Sequence, residues 1–393
     1  MMKATAEVLV PRGFEFSCAT AGIKVSGSPD MALAFAPRGA HAAAMFTTNR
    51  VIAAPLICGR ENLRRSGGRV RAVVVNSGNA NCATGKLGLR ACADVCRAAA
   101  KVAGCKPAEV FPGSTGIIGV PLPADKLIAR LPELFADRSA SPLAAERFAR
   151  AIMTTDTRMK VASARLGNAT LFGTCKGAGM IHPRLATMLV YLFTDPEVKP
   201  RQLHALLQDV VHSTFNRINV DNDTSTNDTA LLLASGIAGK VKEKEFAAAL
   251  HEVCESLARQ IVADGEGAKH VVNLHIECAR SDAEAAQVAK AIATSMLVKT
   301  AWAGADPNWG RVLAAAGYSG AAIDPGKVDI FFGQHQVCRR GVAMKFDEPR
   351  VHTYLSEPVI DVRVKLGTGR FSATFWTCDL TSEYVHINAD YHT

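Results

Sequence analysis

Hydrophobic positions in the first half of the chain occur in short runs that alternate with polar turns. Residues 71–75 read Arg-Ala-Val-Val-Val and are followed at 76–81 by Asn-Ser-Gly-Asn-Ala-Asn. An apolar, β-branched run ahead of a cluster of Asn, Ser and Gly predicts a strand that enters a tight turn. Residues 87–103 have the small-residue pattern of a helix, which we expect to end near Gly104 and Pro107.

The second half of the chain mixes helical and strand periodicity. Apolar residues at helical spacing predict two helices, with the faces Leu203, Leu206, Leu207, Val210, Val211 and Phe246, Leu250, Val253, Leu257, Ile261. Strands are expected at 270–278, at Asp329–Phe332 and at Val359–Lys365, which turns at 367–369 and resumes at Phe371. Ser281 and Glu284 have the spacing of a capping box that opens a further helix.

This succession of elements predicts the α+β class, with sheets stacked face to face and covered by helices. A chain of 393 residues suggests two or three domains, because a typical domain has roughly 100–200 residues. We place the boundary near Arg280, which gives a layered core at 1–280 and a smaller α/β domain at 281–393.

Composition indicates a soluble, cytoplasmic protein. Hydrophobic residues make up 48%, but no run approaches the ~18 apolar residues of a membrane helix, and residues 1–22 lack the pattern of a signal peptide. The 11 cysteines are odd in number, and the closest pair, Cys92 and Cys96, has helical spacing. Free thiols are therefore expected rather than a disulfide framework or a metal site.

The segment 176–189, Lys-Gly-Ala-Gly-Met-Ile-His-Pro-Arg-Leu-Ala-Thr-Met-Leu, joins a glycine-rich loop to an apolar run. Thr187 stands at the junction. A threonine hydroxyl is a weak nucleophile without a neighbouring base, and cleavage of the Ala186–Thr187 bond would supply its own α-amino group, whose pKa is near ~8. The alternative is that Thr187 is a β-branched residue that merely favours a strand.

Charge divides unevenly at Thr187. Residues 1–186 contain 25 Lys and Arg against 11 Asp and Glu, a net charge of +14, whereas residues 187–393 contain 20 against 25, a net charge of −5. Segments of opposite sign attract each other, although salt screens much of that attraction. The arginines of the basic half are dispersed with few aromatic residues among them, which argues against nucleic-acid binding.

Four further segments are dense in polar or turn residues. Residues 111–119, Phe-Pro-Gly-Ser-Thr-Gly-Ile-Ile-Gly, form either a plain loop or a turn whose backbone amides stabilise an oxyanion. Small polar residues crowd 216–229, 306–311 and the terminal 388–393. Such groups are costly to bury unless they bind one another or a ligand.

Together with 10–14, 46–50, 76–85 and 154–157, these segments occur in the order seen in the ornithine acetyltransferases, the bifunctional glutamate N-acetyltransferases of arginine biosynthesis. The chain resembles this family over almost its whole length. The resemblance implies an α/β/β/α core like that of other N-terminal-nucleophile proteins. It also implies self-cleavage at Ala186–Thr187 and an α2β2 assembly of segments 1–186 and 187–393.

The resemblance further implies a ping-pong reaction in which N2-acetyl-L-ornithine acetylates Thr187 and L-glutamate accepts the acetyl group. Thr115 and the amide of Gly116 match the family's oxyanion pair. Substrate contacts carried over by position are Thr154 or Thr155, Lys176, Glu266, Asn388 and Thr393. A lysine suits a carboxylate and a glutamate suits the ornithine ammonium. No cofactor or metal is expected, and acetyl-CoA stays open as a second donor.

Three positions depart from the family pattern: Met159 where proline is usual, Asn222 where glycine is usual, and His392 where arginine is usual. The last removes a permanent cation beside the terminal contacts and puts the acceptor preference in doubt. Two other functions stay open from the residues. One is an amidase or aminopeptidase of the same fold, in which water resolves the acyl-enzyme. The other is a non-catalytic binding protein in which Thr187 is structural.

Overall fold

The computed structural model describes residues 4–5, 7–182 and 188–390. The first part of the chain contains the strands β1 (Glu15–Ala19), β2 (Met31–Phe46), β3 (Arg69–Asn79), β4 (Val110–Ile117), β5 (Lys160–Leu166), β6 (Ala169–Lys176), β7 (Leu189–Pro196), β8 (Ile218–Asn219) and β9 (Thr229–Gly239). Its helices are α1 (Ala54–Ser66), α2 (Gly85–Ala103), α3 (Ala124–Ala136), α4 (Pro142–Ala151), α5 (Pro200–Ser213) and α6 (Glu243–Ala263).

The second part of the chain contains the strands β10 (Val271–Ala279), β11 (Asp329–Phe332), β12 (His335–Arg339), β13 (Val342–Ala343), β14 (Val359–Lys365) and β15 (Phe371–Cys378). Its helices are α7 (Asp282–Ala293), α8 (Met296–Ala303), α9 (Trp309–Gly317), α10 (Glu348–Leu355) and α11 (Ser382–Asp390). None of the helices within the described ranges is long and apolar enough to cross a membrane.

One long strand, β2, belongs to both leaves of the first sheet. The strand order is β4-β3-β2-β9-β7-β6-β5, with β1 also paired to β2. The beginning of β2 pairs with β1 and β3, and its end pairs with β9. The register shifts between Phe35 and Ala40, where Pro37 lacks an amide donor and Gly39 has φ 74°. The sheet therefore bends here and doubles over.

Aromatic residues fill the space between the two leaves. Phe16 of β1 contacts Phe193 of β7 at 4.9 Å and Phe172 of β6 at 5.8 Å between ring centroids, both edge to face. Alternate residues of β3, Val73 and Val75, point into the same core. Because side chains of a strand alternate between its faces, the intervening residues must be covered from outside.

Helices cover both outer faces. On the first leaf, Ala72 and Val74 of β3 share a core with α2 and α3. On the second leaf, Val190 and Leu192 of β7 share a core with α5 and α6. The layers are thus helix, sheet, sheet, helix, which confirms the predicted α/β/β/α class.

The second sheet has the order β13-β12-β11-β14-β10-β15-β8. One of its faces packs on α7, α8, α9 and α10. Strand β10 lies inside this sheet, parallel to β14 and antiparallel to β15. The domain boundary near Arg280 stays a prediction, and β10, which precedes it, already belongs to this second sheet.

Most of the predicted elements form, with ends shifted by a few residues. The predicted helix at 87–103 is α2, and the two predicted helix faces lie on α5 and α6. The Ser281 hydroxyl accepts the amide of Glu284, as a helix cap should. The Glu284 carboxylate accepts the amide of Arg280 rather than that of Ser281, so only half of the capping box forms.

Truncation of Phe16 should test the core between the leaves. Phe16 is fully buried, and Phe16→Ala should lower the free energy of unfolding by about 3–5 kcal/mol through lost contacts and a cavity. Urea unfolding followed by circular dichroism measures this. The half-exposed Phe371 is the matched control, and a Phe16→Ala variant as stable as Phe371→Ala would contradict the stacked-leaf core.

Candidate active site

A cleft of about 130 Å³ opens where strands of both leaves end. It is lined by Ala80, Thr115, Gly116, Ile118, Thr154, Thr155, Lys176, Gly179, Met180, Ser225, Thr226, Asn227, Glu266 and Asn388. These residues come from β4, from the polar segment before β9, from α11, and from the ends of β3, α4, β6 and α6 or the loops that follow them. The fold therefore brings together segments that are far apart in sequence.

The oxyanion candidates lie at the end of β4, which runs parallel to β3. Thr115 is buried, and Gly116 has φ 129°. A Cβ atom on Gly116 would lie 2.3 Å from the carbonyl carbon of Gly78, so the close approach of these two strands requires glycine. The pairing of the two strands sets the position of the Thr115–Gly116 peptide.

Two residues of opposite charge line the cleft. Lys176 is buried, which lowers the pKa of its ammonium, while the charges of Asp156, Glu266 and Asp228 oppose this shift. The Glu266 amide donates to the carbonyl of Ala178 at 2.9 Å, and the amide side chain of Asn388 donates to Glu266 Oε2 at 2.9 Å. The cleft thus presents a cation and an anion to a bound molecule.

Asn227 joins the two leaves at the cleft. Its side-chain amide donates to the carbonyls of Ala80 at 2.7 Å and Ser114 at 2.8 Å. Ala80 follows β3 and Ser114 lies on β4, whereas Asn227 precedes β9. The dense polar segment predicted at 216–229 is therefore used in part to tie the strand ends together.

The predicted nucleophile Thr187 and the predicted cleavage partner Ala186 lie outside the described residues, as do His392 and Thr393. Met188, which follows Thr187, donates its amide to Asp228 Oδ1 at 3.0 Å. Burial raises the pKa of Asp228 well above its ordinary value, although the Met188 amide and the Lys176 charge lower it. Asp228 thus holds the start of β7 beside the cleft.

Asp221 holds the loop that carries Met180, which has φ 57°. The Asp221 carboxylate accepts the amides of Met180 at 2.5 Å and Ile181 at 2.9 Å. Burial raises the pKa of Asp221 to about 6, although these amides lower it. A left-handed backbone is uncommon for methionine, so this acceptor compensates for local strain at the rim of the cleft.

The structure groups the sequence-predicted residues that it describes. Thr115, Gly116, Thr154, Thr155, Lys176, Glu266 and Asn388 all line the cleft. Of the other polar segments, 306–311 does not line it, and Asn308 instead accepts the amide of Arg311 to cap α9. The sequence pattern does not predict Ala80, Ile118 or Met180 as site residues, because an isolated apolar residue beside a turn has no distinctive pattern.

Among the described residues, no group of three or more His, Cys, Asp and Glu side chains could hold a metal ion. The cleft instead offers hydroxyls, backbone amides and one residue of each charge. These are the groups that an acyl-transfer enzyme uses to stabilise an oxyanion and to hold a charged substrate.

The ArgJ family model matches residues 15–393, so the chain belongs to the ArgJ family. Two similar curated proteins are both called arginine biosynthesis bifunctional protein ArgJ. That of Thermus thermophilus is 46% identical and covers 98% of this chain and 100% of the relative, and that of Geobacter sulfurreducens is 44% identical and covers 97% and 99%. The predicted family is confirmed, and so is the prediction that the chain is an acyltransferase of arginine biosynthesis.

A crystal structure of the Bacillus halodurans ArgJ protein is 40% identical, covers 52% of this chain and 98% of that chain, and has a TM-score of 0.49. The layer assignment for the present chain rests on its own strand pairing and hydrophobic cores.

The raised pKa of Asp221 predicts a pH effect on stability. The folded state binds more protons than the unfolded state between the ordinary pKa of 3.8 and the folded value of about 6. The free energy of unfolding that this group contributes therefore falls as pH rises through this window. Relative to Asp221→Asn, the wild type should lose stability from pH 4 to 6 and change little above that range.

Urea unfolding at several pH values measures this difference. Asp209→Asn, at an exposed position on α5, is the matched control and should follow the wild type. A stability difference between the wild type and Asp221→Asn that does not vary from pH 4 to 6 would contradict the assignment.

Proposed function

We propose that the chain is a self-cleaving glutamate N-acetyltransferase that moves an acetyl group from N2-acetyl-L-ornithine to L-glutamate through acetyl-Thr187. The observation that carries this proposal is the arrangement of Lys176, Glu266 and Asn388 in one cleft with Thr115 and Gly116. Recognition groups for a charged amino acid thus lie beside donors for an oxyanion.

Self-cleavage would begin with attack of the Thr187 hydroxyl on the carbonyl carbon of Ala186. The peptide C–N bond breaks, an ester forms, and the proton moves to the new α-amine. Water then hydrolyses the ester and leaves Thr187 with a free hydroxyl and a free amine. This amine is the base that the weak threonine nucleophile needs.

In the first half-reaction the Thr187 oxygen attacks the acetyl carbonyl of N2-acetyl-L-ornithine. The amine of Thr187 takes the hydroxyl proton and returns it to the departing nitrogen, so that the amide bond breaks and ornithine leaves. The negative charge on the acetyl oxygen develops beside Thr115 and the Gly116 amide. Removing one such preorganised donor typically lowers kcat by about 10²- to 10³-fold.

In the second half-reaction the amine of L-glutamate attacks the Thr187 ester. The C–O bond breaks, the Thr187 amine transfers the proton of the attacking amine to the Thr187 oxygen, and N-acetylglutamate leaves. Lys176 suits the carboxylate that both substrates carry, and Glu266 with Asn388 suits the side-chain ammonium of ornithine. His392, in place of the arginine expected there, bears on the affinity for glutamate.

The proposal includes an α2β2 assembly in which segments 1–186 and 187–393 stay associated. Their net charges of +14 and −5 favour association. Strands β2 and β3, from before the cleavage site, share one sheet with β7 and β9 from after it. Acetyl-CoA stays an open candidate for a second acetyl donor, and no cofactor is required for the chemistry above.

Thr187→Ala should abolish both cleavage and acetylation because it removes the attacking oxygen. Denaturing mass spectrometry of the purified wild type should show two fragments that separate before Thr187, and the C-terminal fragment should gain one acetyl mass with N2-acetyl-L-ornithine. The exposed Thr353 provides the control, since Thr353→Ala should behave as the wild type.

An intact wild-type chain would contradict the N-terminal-threonine mechanism and favour the binding-protein alternative. Cleavage followed by acetyl release that glutamate does not accelerate would favour the amidase or aminopeptidase alternative. Acetyl release that yields N-acetylglutamate supports the transferase.

Glu266→Gln should lower kcat/KM for N2-acetyl-L-ornithine by about 10- to 100-fold, because a charge-assisted hydrogen bond contributes about 1.5–3 kcal/mol. The loss should vanish with N-acetylnorvaline, which lacks the side-chain ammonium. Steady-state kinetics with both donors measures this, and the exposed Glu243 provides the control variant Glu243→Gln. An equal loss with both donors would show that Glu266 does not recognise the ammonium.

A further inference from the structure

A buried ion triad lies behind the cleft. Lys160, the first residue of β5, places its ammonium 2.7 Å from Asp156 Oδ1 and 2.5 Å from Asp264 Oδ2. The side chains of Lys160, Asp156 and Asp264 are exposed by only 1%, 0% and 4%. None of the three lines the cleft, and none takes part in the acetyl transfer as proposed above.

Asp156 fixes two segments that carry cleft residues. Its carboxylate accepts the amide of Thr154 at 3.0 Å and the amide of Gly177 at 2.6 Å. Thr154 lines the cleft, and Gly177 directly follows Lys176, which also lines it. One carboxylate therefore couples the loop after α4 to the end of β6.

Asp264 ties a third segment, the end of α6, to the loop after α4. Its carboxylate accepts the amide of Thr157 at 3.1 Å and the amide of Arg158 at 3.4 Å, and it also accepts the Thr157 hydroxyl. Asp264 caps the end of α6, two residues before Glu266. Lys160 thus joins the carboxylate beside Lys176 to the carboxylate beside Glu266.

The charges of this region are interdependent. Burial alone would raise the pKa of Asp156, but Lys176, Lys160 and the Gly177 amide lower it to about 2. Asp156 therefore pairs directly with the Lys160 ammonium and also interacts electrostatically with that of Lys176. Removing one partner of a buried pair leaves the other charge uncompensated, whereas the intact pair contributes little net stability. A role in fixing the geometry of the cleft therefore explains the triad better than a contribution to the stability of the fold.

We propose that Lys160 is a positioning residue that fixes the separation of Lys176 and Glu266, and thereby the length of the amino acid that the cleft accepts. This inference rests on the proposed function, in which these two residues bind the carboxylate and the ammonium of one substrate. The selected length is that of three methylene groups between the α-carbon and the side-chain nitrogen, as in ornithine.

Loss of Lys160 has a defined consequence for the cleft. Asp156 and Asp264 would repel each other, which separates the loop after α4 from the end of α6. Asp156 would also interact with Lys176 alone and compete with the substrate carboxylate. Both effects weaken substrate binding and reduce the preference for one substrate length, while Thr115 and Gly116 on β4 are left in place.

The test compares Lys160→Met with Lys299→Met. Lys299 is an equally buried lysine whose ammonium donates to Thr377 Oγ1 at 3.0 Å and to the Cys378 carbonyl in the second sheet. It controls for the loss of a buried ammonium. Kinetics are measured with N2-acetyl-L-ornithine and with donors one methylene shorter and longer, N2-acetyl-2,4-diaminobutyrate and N2-acetyl-L-lysine.

Lys160→Met should raise KM for N2-acetyl-L-ornithine by about tenfold or more, because a misplaced charge-assisted hydrogen bond to the substrate costs about that much in binding. It should change kcat less and reduce the preference over both homologues. Lys299→Met should keep the wild-type preference even where it lowers the melting temperature. Asp264→Asn, which keeps the side-chain shape, should reproduce the Lys160→Met pattern more weakly and serves where Lys160→Met does not fold.

A lowered melting temperature with unchanged KM and unchanged preference, for Lys160→Met or for Asp264→Asn, would overturn the inference. A wild type that turns over none of the three donors would contradict the proposed function instead. The triad is then judged by calorimetric binding of ornithine and its two homologues, in which the same loss of length preference supports the inference and an unchanged preference overturns it.

Discussion

The structure depends on the burial of two sheet faces against each other. Phe16 meets Phe172 and Phe193 edge to face between the leaves, and β2 runs through both leaves. Because the leaves share one strand, the ends of their other strands are brought to a common edge. The cleft forms at this edge, where Thr115, Lys176 and Asn227 arrive from β4, from β6 and from the segment before β9.

Polar and charged groups at this edge are buried, and hydrogen bonds offset the cost of their burial. Asn227 satisfies carbonyls of the first leaf, Asp221 accepts amides of the Met180 loop, and Asp228 accepts the amide that begins β7. Unpaired groups of this kind would each cost about 1–3 kcal/mol. The density of such contacts explains why small polar residues crowd the sequence before β9.

Helix and strand periodicity predicted most elements correctly, because burial of one face imposes a regular pattern on local sequence. It predicted α5 and α6 by their apolar faces and β14 by its alternation. It did not reveal that β2 bends and serves both leaves, since only Pro37 and Gly39 mark the bend. The half-formed capping box at Ser281 similarly depends on Arg280, whose amide competes for Glu284.

The sequence by itself determined the class of elements, the family through its ordered motifs, and the residue types available for acyl transfer. These depend on side-chain chemistry and on spacing along the chain. Tertiary structure alone decided that Thr115, Lys176, Glu266 and Asn388 line one cleft and that Lys160 bridges Asp156 and Asp264 behind it. Contacts between residues more than 100 positions apart, such as Lys160 with Asp264 and Asn388 with Glu266, leave no periodic pattern, because they are created by the stacking of the layers.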